Sequence, residues 1–224
     1  APEHPFPAAL NDVAGTVRRI VDGGEIEVDP AHAVLMGYSA GANLAVAYAL
    51  LSQRDDSAPL VSGLALHYPC LDVAERFDPN SVRACDLPVD KMAAFSAMYA
   101  GERDETDPLM SPVHAVDGEL AALPPTVFCP VEGDALLPQA ETLCRRMVDA
   151  GASGIWNPVV GVYHGYIEDA ADMETFRAIS MPETVAARPR GFQHAAARAV
   201  KTSLEHLLGP ACHDVPFPGL EDQE

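Results

Sequence analysis

Hydrophobic and polar positions follow two rhythms along this chain. Residues 8–21 set Leu10, Val13, Val17, Ile20 and Val21 on one helical face, and Gly23-Gly24 follows as a stop. Asp29-Pro30 reads as a turn, and the apolar run 33–36 as a buried strand. Residues 40–51, rich in Ala and Leu, read as a helix that a polar stretch (52–59) ends. A second strand spans 61–68 and stops at Pro69. Between 70 and 112 the signal is mixed: Pro79, Pro88, Pro108 and Pro112 mark loops around a short helix at 89–99. A third strand covers 126–131, and a helix covers 138–150 with Pro near its start and Gly151 just past its end. A fourth strand covers 155–162, and a closing helix covers 195–208.

Strands thus alternate with helices, which predicts an α/β fold: a parallel sheet with helices on both faces. No repeat or linker divides it. Residues 1–209 are expected to form one catalytic domain, and 210–224, acidic and Pro-containing, a tail.

Composition narrows the picture. With 224 residues, 48% of them hydrophobic, the chain can bury a sizeable core. Lys and Arg number 14 against 33 Asp and Glu, a net charge of −19 that repels phosphate backbones and argues against nucleic-acid partners. The five Cys are odd in number and form no C-x-x-C, so neither a disulfide framework nor a zinc site is indicated. Cys70 and Cys129, at the ends of apolar runs, read as small core residues. A reducing compartment, the cytoplasm, is expected. No stretch has the apolar length of a membrane span, and no signal peptide is visible. The first residue is Ala1 and not Met, so the natural start is expected to lie elsewhere.

Function in an open parallel sheet collects beyond the carboxyl ends of the strands. After the first strand comes Gly37-Tyr38-Ser39-Ala40-Gly41, a G-x-S-x-G string between strand and helix. Such a turn lifts the serine hydroxyl above the sheet, with Gly37 and Gly41 leaving room for a strained backbone. Glu132-Gly133-Asp134 follows the third strand, and Tyr163-His164-Gly165 the fourth. A hydroxyl, a carboxylate and an imidazole suit nucleophilic catalysis. The hydroxyl needs a base, the imidazole titrates near neutrality, and the carboxylate fixes its tautomer. Asp134 is favoured for the carboxylate, with Glu132 a rival in the same loop. Leu136, Tyr166 and Ile167 are candidates for a substrate pocket, and equally for core. Tyr38, inside the nucleophile turn, is a further candidate.

These segments, in order, resemble the hormone-sensitive-lipase-like branch of the α/β-hydrolase esterases. Residues 1–9 (A-P-E-H-P-F-P-A-A) resemble its A-P-E-x-x-F-P-A, and residues 37–45 its G-D-S-A-G-G-N-L-A. Tyr68-Pro69-Cys70-Leu71-Asp72 is similar to Y-P-x-L-D, Ser111-Pro112 to its S-P, Gly133-Asp134-Ala135-Leu136 to its D-P-L turn, and His164-Gly165-Tyr166 to H-G-F. The resemblance implies an α/β-hydrolase fold, Ser39 as nucleophile, His164 as general base and acid, Asp134 as its orienter, and the Ala40 N–H as an oxyanion donor. It implies a serine carboxylesterase for small or medium acyl esters that needs no metal or cofactor. It also implies pairing of two copies through the fourth strand.

The departures matter. Tyr38 stands where the family has Asp, Ala42 where it has Gly, Ala135 where it has Pro, and Pro138 where it has a second acidic residue. Residues 168–191 form an extra segment that reads either as a flap or as a surface helix. No H-G-G-G string precedes A-P-E, and four strands are expected where the family's sheet has eight. The remainder is expected in an N-terminal portion upstream of Ala1, with a completing partner chain or a shortened, repurposed form as alternatives. Two other functions stay open: acyl transfer to an alcohol or amine by the same three residues, and a non-catalytic hydrolase-like module.

Overall fold

The computed structural model describes residues 1–23, 28–55, 58–77, 87, 89–171 and 192–209. Helix α1 (Ala8–Val21) leads to strand β1 (Val34–Tyr38), helix α2 (Ala40–Arg54) and strand β2 (Gly63–His67). Helices α3 (Val89–Ala100) and α4 (Asp117–Ala121) precede strand β3 (Thr126–Cys129). Helix α5 (Leu137–Asp149), strand β4 (Gly154–Trp156), helix α6 (Tyr166–Ala171) and helix α7 (Phe192–Leu208) complete the order.

The strands pair in parallel in the order β1-β2-β3-β4. All of β2 and β3 is buried, as near-continuous apolar runs between two helical layers must be. Alternation of side chains splits the strands between the layers. Leu64, Leu66 and Phe128 join the larger core with α1, α2 and α5. Gly63 and His67 face α7 instead, at Leu207 and Ser203. A smaller core of Tyr68, Val131, Tyr166, Ile167, Ala196 and Ala199 lies at the carboxyl end of the sheet, where α6 meets α7.

Proline trims the expected strands. β3 stops at Cys129 because Pro130 has no N–H to continue the ladder. β4 stops at Trp156, well short of residue 162, because Pro158 interrupts it; a single bridge between Val131 and Val159 is all that persists. Conversely, β1 runs on through Gly37 to Tyr38. Ile20 differs from the amphipathic reading of α1: it is exposed while Leu10 is buried. Residues 172–191 and 210–224, where the extra segment and the tail were expected, lie outside the described residues. Among the described residues no helix is long and apolar enough to cross a membrane.

Candidate active site

The turn between β1 and α2 is built under strain. Ser39 has φ 50° and ψ −115°, a conformation side chains avoid. Three things hold it. The Ser39 N–H donates to the His67 carbonyl at 3.0 Å, and the Cys70 N–H donates to the Ser39 carbonyl at 3.2 Å, so the end of β2 clasps the turn from both sides. The turn is also tight enough to require Gly37, since a Cβ there would lie 2.3 Å from the Gly41 carbonyl oxygen. Gly41 is different. A Cβ there meets nothing within 4 Å, so the expectation that both glycines make room holds for Gly37 alone among the described contacts. Ala40 opens α2, and its N–H is one of the first-turn amides that have no acceptor within the helix.

Asp134 sits in the turn after β3. Its Oδ1 accepts the Leu136 N–H at 3.0 Å, which leaves Oδ2 free to point at the next loop. There Gly165, at φ +85°, lets the chain reverse directly after His164 and start α6. His164 Nδ1 lies 2.7 Å from Asp134 Oδ2, and His164 Nε2 lies 2.8 Å from Ser39 Oγ. With the carboxylate accepting from Nδ1–H, Nε2 is left as the acceptor for the serine hydroxyl. The rival carboxylate is elsewhere: Glu132 is exposed and lines a separate hollow with Arg145 and Trp156.

A cavity of about 370 Å³ opens beside Ser39, walled by Leu44, Cys70, Val73, Met92, Phe95 and Tyr99. Its wall is almost wholly apolar, which suits an acyl chain. None of the pocket residues expected from sequence is in it. Leu136 and Tyr166 are fully buried in the core and Ile167 nearly so, because each follows a site residue in sequence yet turns its side chain inward. Tyr38 stacks on Tyr68, with ring centroids 6.2 Å apart, away from that cavity. Cys70 is half-buried and lines the cavity, a correction to its reading as sealed core. It is no rival nucleophile: burial, reinforced by the carboxylates of Asp72, Glu75 and Asp134, pushes its thiol up to about 12.

Gln139 went unread in the sequence, and Ser111 was read there only as part of the S-P match; both have structural roles. Gln139 Oε1 accepts from the N–H groups of Leu71 and Asp72, at 2.7 and 3.0 Å. Ser111 Oγ accepts from the Val73 N–H at 2.8 Å, and the Val113 N–H donates to Leu71. The Y-P-C-L-D and S-P segments therefore bind each other and hold the cavity wall against the nucleophile turn. Among the described residues no three His, Cys, Asp or Glu side chains gather as a metal site requires.

A family model of the alpha/beta hydrolase fold matches residues 1–168. Carboxylesterase NlhH of Mycobacterium tuberculosis is 31% identical over 176 residues, covering 76% of this chain and 54% of its own length. An acetyl-hydrolase of Streptomyces hygroscopicus is 32% identical over 171 residues, covering 74% of this chain and 55% of its own. The chain thus spans about half the length of the curated relatives it matches. A solved hormone-sensitive lipase from a metagenome library superimposes with a TM-score of 0.65 at 28% identity, covering 89% of this chain and 63% of that one. By its strand order, by the geometry of its nucleophile turn and by these likenesses, the chain belongs to the α/β-hydrolase fold family, on its hormone-sensitive-lipase-like branch.

Proposed function

We propose that this chain carries the catalytic residues of a serine carboxylesterase acting on small or medium acyl esters. The observation that carries the reading is the unbroken line from Ser39 Oγ through His164 to Asp134, at 2.8 and 2.7 Å, beside an apolar cavity. His164 Nε2 takes the Ser39 proton as Oγ attacks the ester carbonyl, and the imidazolium is steadied by Asp134. The new oxyanion meets the Ala40 N–H. The alcohol leaves with the proton from Nε2, an acyl group stays on Oγ, and a water activated the same way releases the acid. The cavity takes the acyl chain. The relatives named carboxylesterase and acetyl-hydrolase support hydrolysis over transfer. The odd cysteine count without a C-x-x-C favours a reducing, cytoplasmic setting.

The test is hydrolysis of p-nitrophenyl acyl esters. Ser39→Ala should lower turnover by about 10⁴–10⁶ while leaving the fold intact. A variant that keeps most of the activity sinks the proposal. Ester formation in preference to free acid, when a competing alcohol is added, shifts it to acyl transfer.

A further inference from the structure

The two hydrogen bonds on His164 leave one motion open. Both run through ring nitrogens, so they fix the edge of the imidazole but not its rotation about the line joining Asp134 to Ser39. Tyr68 supplies that contact. It sits at the end of β2 with φ 36°, a left-handed conformation rare outside glycine, and its ring is buried. The ring meets His164 edge to face, with centroids 4.9 Å apart and planes at 62°. It meets Tyr166 in the same way at 5.4 Å and stacks on Tyr38. Its hydroxyl donates to the Glu168 carboxylate. Burial and that carboxylate raise the phenol well above its ordinary range, so it stays a donor.

Glu168 stands in the first turn of α6, the helix that begins two residues after His164. The Tyr68–Glu168 bond therefore staples the end of β2 to the far side of the His164 loop. It also sets a negative charge behind the ring that packs on the imidazole. We propose, resting on the esterase reading, that Tyr68 is a positioning residue for His164 and that Glu168 holds Tyr68 in place. Around His164 the groups are few. Asp134 comes from the turn after β3, Ser39 from the turn after β1, and Tyr68 from the end of β2, with Tyr38, Tyr166 and Glu168 behind it. Glu132 lies on the separate hollow. Among the described residues, Asp134 and Glu168 bring the negative charge to this cluster.

The experiment compares Tyr68→Phe, Glu168→Leu and the double variant in the full chain. Phe keeps the ring without a donor, and Leu at exposed Glu168 keeps the bulk without an acceptor, so both break the bond and spare the fold. Each single variant should lower kcat on p-nitrophenyl butyrate about three- to tenfold with KM nearly unchanged. The double should be no worse than the worse single, since both break one link. The hydrogen-bonded His164 Nδ1–H proton, followed by NMR at a single pH, should broaden or shift in each single variant, because the ring is no longer held in one orientation. An Nδ1–H signal unchanged in both variants, or effects that multiply in the double, overturns the proposal whatever kcat does. The NMR signal needs no turnover. A chain that hydrolyses nothing still decides this inference, while Ser39 reactivity separately judges the esterase reading.

Discussion

At the scale of single residues, strain and burial explain choices that composition conceals. Gly37→Ala would drive a methyl into the Gly41 carbonyl, backbone that cannot yield without moving Ser39. It should cost about 1–3 kcal/mol or more in urea denaturation, whereas Gly41→Ala, facing open space, should change stability by no more than about 0.5 kcal/mol. His67 is a second case. It is wholly buried, with Nε2 3.3 Å from Ser203 Oγ and Nδ1 without a partner among the described residues. Burial lowers its pKa from 6.5 to about 4. Between those values the unfolded chain binds a proton that the folded chain refuses. Its contribution is therefore complete above pH 6.5 and is lost as pH falls towards 4, about 3 kcal/mol in all. His67→Gln should flatten the fall in urea midpoint between pH 7 and 4.5; an unchanged slope would contradict this origin. The G-x-S-x-G string pointed to the tight contact at Gly37, whereas the unpartnered, buried imidazole of His67 has no sequence signature.

At the scale of elements, the cavity depends on α3, which local pattern finds but cannot place. Its position comes from far along the chain: Phe6 packs edge to face on Tyr99 at 6.0 Å, and the Phe6 N–H donates to the Tyr99 carbonyl at 2.7 Å. The A-P-E-H-P-F segment is thus an anchor for the pocket's outer wall. Leu44, on α2 one turn past Ser39, lines the opposite side. Leu44→Trp should fill the cavity and lower activity on hexanoate relative to acetate esters about tenfold or more. An unchanged chain-length profile would mean the acyl chain lies elsewhere. Local pattern located the long elements, because apolar stripes repeat over several turns in α1 and α5 and because α2 is apolar nearly all round. The short helices α4 and α6 carry too few residues to show a period, and the strand ends were overrun where Pro130 and Pro158 decide them. The order Ser39, Asp134, His164 was legible because each residue follows a strand. The pocket was not, because the residues beside Asp134 and His164 in sequence point into the core.

At the scale of the whole molecule, the described sheet has two open sides. β1 is one edge, with Met36 at 38% exposure, and β4 is the other, with Trp156 and Val160 exposed beyond it. Ala40 and Gly41 are exposed on the β1 side. A further strand there would cover an edge that otherwise invites aggregation, and a further backbone donor there would complete the oxyanion site. One such donor is worth about 10²–10³ in rate. In the proposed reading, the base and its orienting carboxylate are His164 and Asp134, both within this chain. If His164 and Asp134 make Ser39 nucleophilic, active-site labelling reads it out. The protein is treated with a fluorophosphonate, digested and read by mass spectrometry. One phosphonylated residue, Ser39, is expected, with loss of the label in His164→Ala; an unlabelled Ser39, or labelling that survives without His164, overturns the proposed mechanism.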